Sequence, residues 1–193
     1  MAICIASIVE GHSEVASLPI LFRRLTAEWC PTASVDFPTP IRVKRERFLR
    51  NQTEFNRYVE LAVLKAGPGG RVLILLDADD DCPAALGPKV LAQATAVRCG
   101  VPFSVVLAKR EFEAWFIAAA ESLGLPPGQP KPPDPESIRG AKEWVGRHLL
   151  HRAYSETLHQ PSLAARFDLE AARLAPSFDK FRRDVQGLLA GID

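Results

Sequence analysis

Carboxylates gather at three places in this sequence, and each place follows an apolar run. Val72 to Leu76 leads straight into Asp77, Asp79, Asp80 and Asp81, with only Ala78 among them. Ile3 to Val9 ends at Glu10, followed by Gly11, His12, Ser13 and Glu14. Val101 to Ala108 leads into Lys109, Arg110, Glu111, Phe112 and Glu113. Packed like charges resist ionisation unless a cation neutralises them, and an oxygen-only donor set suits Mg²⁺, Mn²⁺ or Ca²⁺ rather than a softer metal. Asp also serves turns and helix N-termini for local hydrogen-bonding reasons. Taken alone, DADDD therefore reads equally well as a solvated turn. The two further acidic groups turn the reading toward a metal site.

The elements that must position these groups are legible as short apolar runs. A run without polar alternation suits a strand buried on both faces, and strands alternating with helices predict an α/β fold: a mainly parallel, Rossmann-like sheet with helices on both faces. In such a sheet the C-terminal strand ends share one edge, where ligands bind. Glu10 with Glu14, Asp77 with Asp79, and Glu111 with Glu113 are expected to converge there. A helix is expected from about Glu14 to Trp29, with Ser13 as its cap. Gly11 allows a tight turn or a close approach that a side chain would block. Val35 to Phe37 and Ile41 to Arg45, parted by Pro38 and Pro40, predict one bent or interrupted strand near an edge. Asn51 caps a helix through Lys65, closed by glycines. A turn from Pro83 to Gly87 leads to a helix ending near Cys99, and another helix runs from about Glu111 to Leu123, stopped by Gly124. After a proline-rich loop, helices are expected over Glu136 to Leu150, in pieces within Gln160 to Arg173, and over Pro176 to Leu189. The chain divides into an α/β core, residues 1–124, and a proline-rich loop with a helical extension packed on it, residues 125–193.

Composition sets limits on partners and setting. At 47% hydrophobic and 24% charged residues the chain is an ordinary globular protein, and its net charge of +1 means that any contact with nucleic acid comes from a local patch. Arg42, Lys44, Arg45, Arg47 and Arg50 form the most basic stretch, which can hold phosphates or serve as a solvated edge that deters strand pairing. No apolar run is long enough to span a bilayer and Met1 to Val9 lacks signal-peptide features, so a cytoplasmic protein is expected. Cys4, Cys30, Cys82 and Cys99 form no CxxC pair and read as reduced core thiols. His148 and His151 stand one helical turn apart, but no Cys or acid completes a zinc set. Trp115, Phe116 and Trp144 fall in apolar helical patterns and read as core.

EGHSE after the first strand, LLDADDD after a later one and KREFEAWF after the next resemble the Toprim domain of topoisomerases, primases and overcoming-lysogenisation-defect nucleases. More closely, the VEGHSE, LLDADDDCP, AKREFEAWF and YSETLHQP stretches resemble a family of small bacterial Toprim-like proteins, DUF4276. The resemblance implies a Toprim-like fold in which Glu10 is a metal ligand or general acid/base and Asp77 and Asp79 are the DxD pair holding Mg²⁺ or Mn²⁺. It makes Glu14 and Glu113 similar to acids placed around a second metal, with Asp81 as a further ligand. Lys109 and Arg110 are candidates to stabilise charge on a transferring phosphate.

Three function classes follow. The first is a metal-dependent nuclease cleaving phosphodiesters of DNA or RNA, in a bacterial defence or repair setting. The second is a non-catalytic module of the same fold that partners an ATPase. The third, aspartyl-phosphate chemistry, explains Asp77 and Lys109 but not EGHSE or Glu113, and Asp80 stands where a phosphatase DxD motif would be followed by a hydroxyl residue. Topoisomerase action would need a nucleophilic tyrosine on a separate domain. Tyr58 and Tyr154 both fall in helical regions.

Overall fold

The computed structural model describes residues 3–191. Strand β1 (Ile3–Val9) leads into helix α1 (His12–Trp29), followed by the short strands β2 (Val35–Asp36) and β3 (Ile41–Arg42) and by helices α2 (Arg45–Arg50) and α3 (Gln52–Ala66). Strand β4 (Arg71–Asp77), helix α4 (Pro83–Val97) and strand β5 (Phe103–Ala108) complete the alternation. Four further helices follow: α5 (Ala114–Ala118), α6 (Ala141–Val145), α7 (Glu156–Ala164) and α8 (Pro176–Leu189).

All pairings are parallel, in the order β2-β1-β4-β5, and β3 also pairs with β1. β4 occupies one side of β1 from Ile5 to Val9. On the other side Ile3 pairs with Val35 and Ile8 with Ile41, so β2 and β3 are two pieces of one edge strand. Pro38 and Pro40 lie in the gap, where neither is asked to donate a ladder hydrogen bond.

Alternation along the strands divides the apolar side chains between two layers. One face, with Ile5, Val9, Leu73, Leu75 and Val106, packs on Leu18, Leu21 and Phe22 of α1, Trp115 and Phe116 of α5, and Phe178, Phe181 and Val185 of α8. The opposite face, with Ala6, Ile8, Val72, Ile74 and Leu76, packs on Phe48, Phe55, Val59 and Val90 from α2, α3 and α4. Burying one such side chain contributes about 1.5–3 kcal/mol. The C-terminal helices α5 and α8 therefore share the cover of one face with α1. Without α8 the face carrying Val106 would lie open.

Several boundaries differ from the expected ones. α1 starts at His12 with Gly11 as its N-cap residue, and Ser13 is buried without capping. α4 begins at Pro83 itself, because proline suits the first helical position, whose N–H needs no partner. The helix expected over Glu111 to Leu123 is broken into a turn, α5 and a 3₁₀ turn at Ala120–Leu123, with Gly124 at φ 103 ending it as expected. The helix expected over Glu136 to Leu150 is interrupted by Gly140 at φ 78. It then widens into a π turn, Gly146–Leu150, that stops at His151. Asn51 caps α3 as expected, its side chain accepting from the Glu54 N–H at 3.1 Å.

The four cysteines are free, but Cys82 and Cys99 are exposed and only Cys4 and Cys30 are half-buried, so they are not core thiols. Trp115 and Phe116 are buried, whereas Trp144 is half-buried and stacks on His148. Among the described residues no helix is long and apolar enough to cross a membrane.

Candidate functional site

The connections from β1 run to one side of the sheet and those from β4 to the other. The crevice beyond the C-terminal ends of β1 and β4 is thus the point where strand order reverses, the usual ligand position in open α/β sheets. Glu10 is the first residue after β1 and Asp77 the last of β4. Asp77 pairs in turn with Ala108, so the loop carrying Lys109 to Glu113 opens on the same edge.

Glu14 sits in the first turn of α1 and is 8% exposed; Glu113, just before α5, is 1% exposed. Gln160 of α7 joins them, its amide nitrogen donating to Glu14 Oε1 at 3.1 Å and to Glu113 Oε1 at 3.3 Å. The Ser17 hydroxyl donates to the Gln160 oxygen at 2.9 Å, which fixes which end of the amide faces the acids. Tyr154 donates to Glu113 Oε1 at 2.9 Å. Gly11 is required for space rather than for φ: a Cβ there would stand 2.0 Å from Glu14 Oε2.

The Oε2 atoms of Glu10, Glu14 and Glu113 are buried with no hydrogen-bond partner. Their surroundings show in their acidity. Burial pushes the Glu113 carboxyl up to about 7, against the pull of Lys142 and the Tyr154 hydrogen bond. Asp77 is raised well above the ordinary range by burial and by the charges of Glu113, Glu14 and Glu10. Glu10 is raised by burial and by Asp79, with Arg45 pulling the other way. The parallel register of β1, β4 and β5 and the shared Gln160 amide bring Glu10, Glu14, Asp77 and Glu113 to one sheet edge, whereas Asp79 is drawn to Arg45 and Glu111 lines the neighbouring hollow.

The remaining aspartates have cationic partners. Arg45, at the start of α2, donates to the backbone oxygens of Asp77 at 2.7 Å and Ala78 at 3.1 Å. It also pairs with Asp81 and stands 3.4 Å from Asp79. Asp80 turns away to Arg110 at 3.2 Å and Arg139 at 2.7 Å. Asp79 and Arg110 both hold left-handed backbone, at φ 49 and 66, and the Asp79 N–H reaches the Arg110 carbonyl at 3.3 Å, which ties the β4 and β5 loops together. Such strain in non-glycine residues costs roughly 1 kcal/mol or more each and gathers at functional sites. Lys109 faces Asp134, 4.0 Å away. The cation that acts on Glu113 is Lys142, itself paired with Glu156 at 2.8 Å.

Two hollows flank the acids. One, of about 480 Å³, is lined by Glu10, His12, Arg42, Lys44, Arg45 and Glu156. The other, of about 200 Å³, is lined by Asp79, Asp80, Arg110, Glu111 and Arg139. Among the described residues, no three His, Cys, Asp or Glu side chains form a ready metal cage, for zinc or for a harder ion. The orphaned carboxylate oxygens nevertheless have the donor chemistry that a hard divalent cation takes. Glu10, Glu14 and Glu113, with Asp77 beside them, carry donors of the kind that Mg²⁺ or Mn²⁺ takes.

The sequence pattern did not point to Arg45, Tyr154 and Gln160 as part of the site. Arg45 was one cation among several, and its spacing of 32 residues from Asp77 carries no motif. Tyr154 and Gln160 belong to the expected helical extension. The YSETLHQP stretch that contains both was the available signal.

No curated protein and no solved structure matches the chain. The model of one protein family, described as a domain of unknown function (DUF4276), matches residues 9–186, a span that holds every site residue from Glu10 to Gln160. The chain belongs to the DUF4276 family.

Proposed function

We propose that this protein is a divalent-metal-dependent phosphodiesterase acting on nucleic acid, the activity that the Toprim-like resemblance implies. The observation that carries the reading is the set of buried, unpartnered carboxylate oxygens on Glu10, Glu14 and Glu113 beside Asp77, at the strand-order switch point. Glu10, Asp77 and Asp79, with Glu14 and Glu113, are the residues to hold Mg²⁺ or Mn²⁺; Asp81 joins only by leaving Arg45. A bound divalent ion supplies a water of lowered pKa and charge neutralisation at the phosphate. The chain supplies the rest. Glu113, with a pKa near 7, can hold or release a proton at neutral pH, and Arg42, Lys44, Arg110 and Arg139 on the flanking hollows offset phosphate charge.

Purified protein is expected to cleave DNA or RNA with Mg²⁺ or Mn²⁺ and to lose cleavage with EDTA. Glu10→Gln and Asp77→Asn are each expected to abolish it. Cleavage that survives both substitutions would overturn the assignment. A second reading, a non-catalytic module partnering an ATPase, is favoured by one observation: Asp79, Asp80 and Asp81 already have arginine partners, so that loop is neutralised without metal. Absence of both Mn²⁺ uptake by calorimetry and cleavage would select it.

A further inference from the structure

A third hollow lies beyond Tyr154, outside the acid cluster. It measures about 680 Å³ and is lined by Lys142, Arg147, His151, Arg152, Tyr154 and Glu143. Its shape depends on two unusual backbone features. The π turn at Gly146–Leu150 ends on His151 in left-handed conformation, φ 53. The chain then folds back so closely on Gly146 that a Cβ there would stand 2.8 Å from the Arg152 carbonyl. That return brings Arg147, His151 and Arg152 around one concavity. Arg147 and Arg152 are exposed, and neither has an acidic partner among the described residues.

This hollow and the one beside Glu10 meet at a single ion pair. Lys142 lines the first, Glu156 lines the hollow beside Glu10, and the two side chains pair at 2.8 Å. The Lys142–Glu156 bridge therefore stands between two depressions, a basic one with Arg147 and Arg152 and a mixed one in which Arg42, Lys44 and Arg45 face Glu10, Glu46 and Glu156. Tyr154 forms part of the first wall while its hydroxyl reaches Glu113.

We propose that these two depressions form a continuous track for the phosphates of a single-stranded nucleic acid, with the hollow at Arg147 and Arg152 holding the nucleotides to one side of the acid cluster. The inference deepens the phosphodiesterase reading and rests on it for its purpose, though not for its test. Charge selects the occupant: cations spaced along a concave path neutralise a polyanion backbone. Recess selects the strand form. Glu113 is 1% exposed behind Tyr154, and an unpaired strand can bend into such a floor where a stiff duplex cannot.

The test is fluorescence anisotropy with a labelled twelve-nucleotide single strand, as DNA and as RNA, and the matching duplex, in EDTA so that nothing is cleaved. Arg147→Glu with Arg152→Glu should weaken single-strand binding at least tenfold. It should also lower the slope of log affinity against log salt by about 1.4, at about 0.7 per phosphate contact on a single strand. A control pair of exposed cations elsewhere, Arg23→Glu with Lys89→Glu, should leave both values nearly unchanged. The proposal is overturned if the first pair binds like wild type, if the control pair loses as much, or if duplex binds more tightly than single strand. Binding that depends on Arg147 and Arg152 in a protein that cleaves nothing with Mg²⁺ or Mn²⁺ upholds the track and removes the phosphodiesterase reading. Cleavage with no such dependence does the reverse.

Discussion

The Tyr154 hydroxyl donates to Glu113 Oε1 at 2.9 Å, across 41 residues of sequence, and leaves Glu113 Oε2 buried without a partner. One oxygen of that carboxylate is thus held by the protein and the other is left for a proton or a ligand. Tyr154→Phe removes a donor that favours the charged form, so the Glu113 pKa should climb above its value of about 7. In a cleavage assay the acid limb of the pH profile should move upward by roughly half a unit to one unit. Urea unfolding should report a loss of about 1 kcal/mol. An unmoved limb with the same stability loss would make Tyr154 purely structural.

Stability should depend on pH in an unusual direction between pH 5 and 8. Folded Glu113 keeps its proton to about pH 7, whereas the ordinary value is 4.5, and Asp77 and Glu10 are shifted the same way. Over that window the folded state binds more protons than the unfolded one, so stability is present at the acid end and is lost as pH rises. A shift of this size in a buried group corresponds to at most about 3 kcal/mol. Melting in EDTA should therefore be higher at pH 5 than at pH 8. Glu113→Gln should flatten much of the slope, and Mn²⁺ added at pH 8 should restore the wild-type melting temperature. A wild-type melting temperature that rises with pH in EDTA would contradict the burial of these acids.

Gly11→Ala tests whether Glu14 belongs to the site. The backbone at Gly11, φ −88, accepts alanine, so the fold should survive, but the new methyl would collide with Glu14 Oε2 and displace the carboxylate. Calorimetric affinity for Mn²⁺ should fall roughly tenfold or more. Unchanged affinity would place Glu14 outside any metal site.

Arg45 fastens the DADDD loop, and its side chain is only 12% exposed. Arg45→Gln should cost about 2–4 kcal/mol in urea unfolding, because two backbone carbonyls and two carboxylates lose a shared partner. Amide exchange at Ala78 to Asp81 should quicken. Arg45→Lys should restore little, since an ammonium cannot reproduce the guanidinium fork.

Much of the scaffold was written locally. The apolar runs that became β1, β4 and β5, the prolines that split the edge strand and the Asn51 cap are patterns a few residues long, and such patterns survive folding. Convergence of Glu10, Asp77 and Glu113 also followed from sequence, because a parallel sheet places its strand ends together. The breaks at Gly140 and Gly146 were not readable in the same way. Gly146 is needed because Arg152 and Tyr154 return upon it, a fact of packing rather than of propensity. Arg45 and Gln160 were hidden for a related reason: each reaches its partners over a sequence distance that carries no periodic signal.

Gln160 takes hold of the acids while Ser17 holds Gln160, and 143 residues separate the two. During synthesis Glu10, Asp77 and Glu113 therefore exist long before the amide that joins Glu14 to Glu113 has been made. A nascent chain that has reached only α5 carries the acids without Tyr154, Gln160 or the α8 cover. On the proposed reading the acids are held in place only once Tyr154 and Gln160 have been made, so a product that stops before them should fail to cleave.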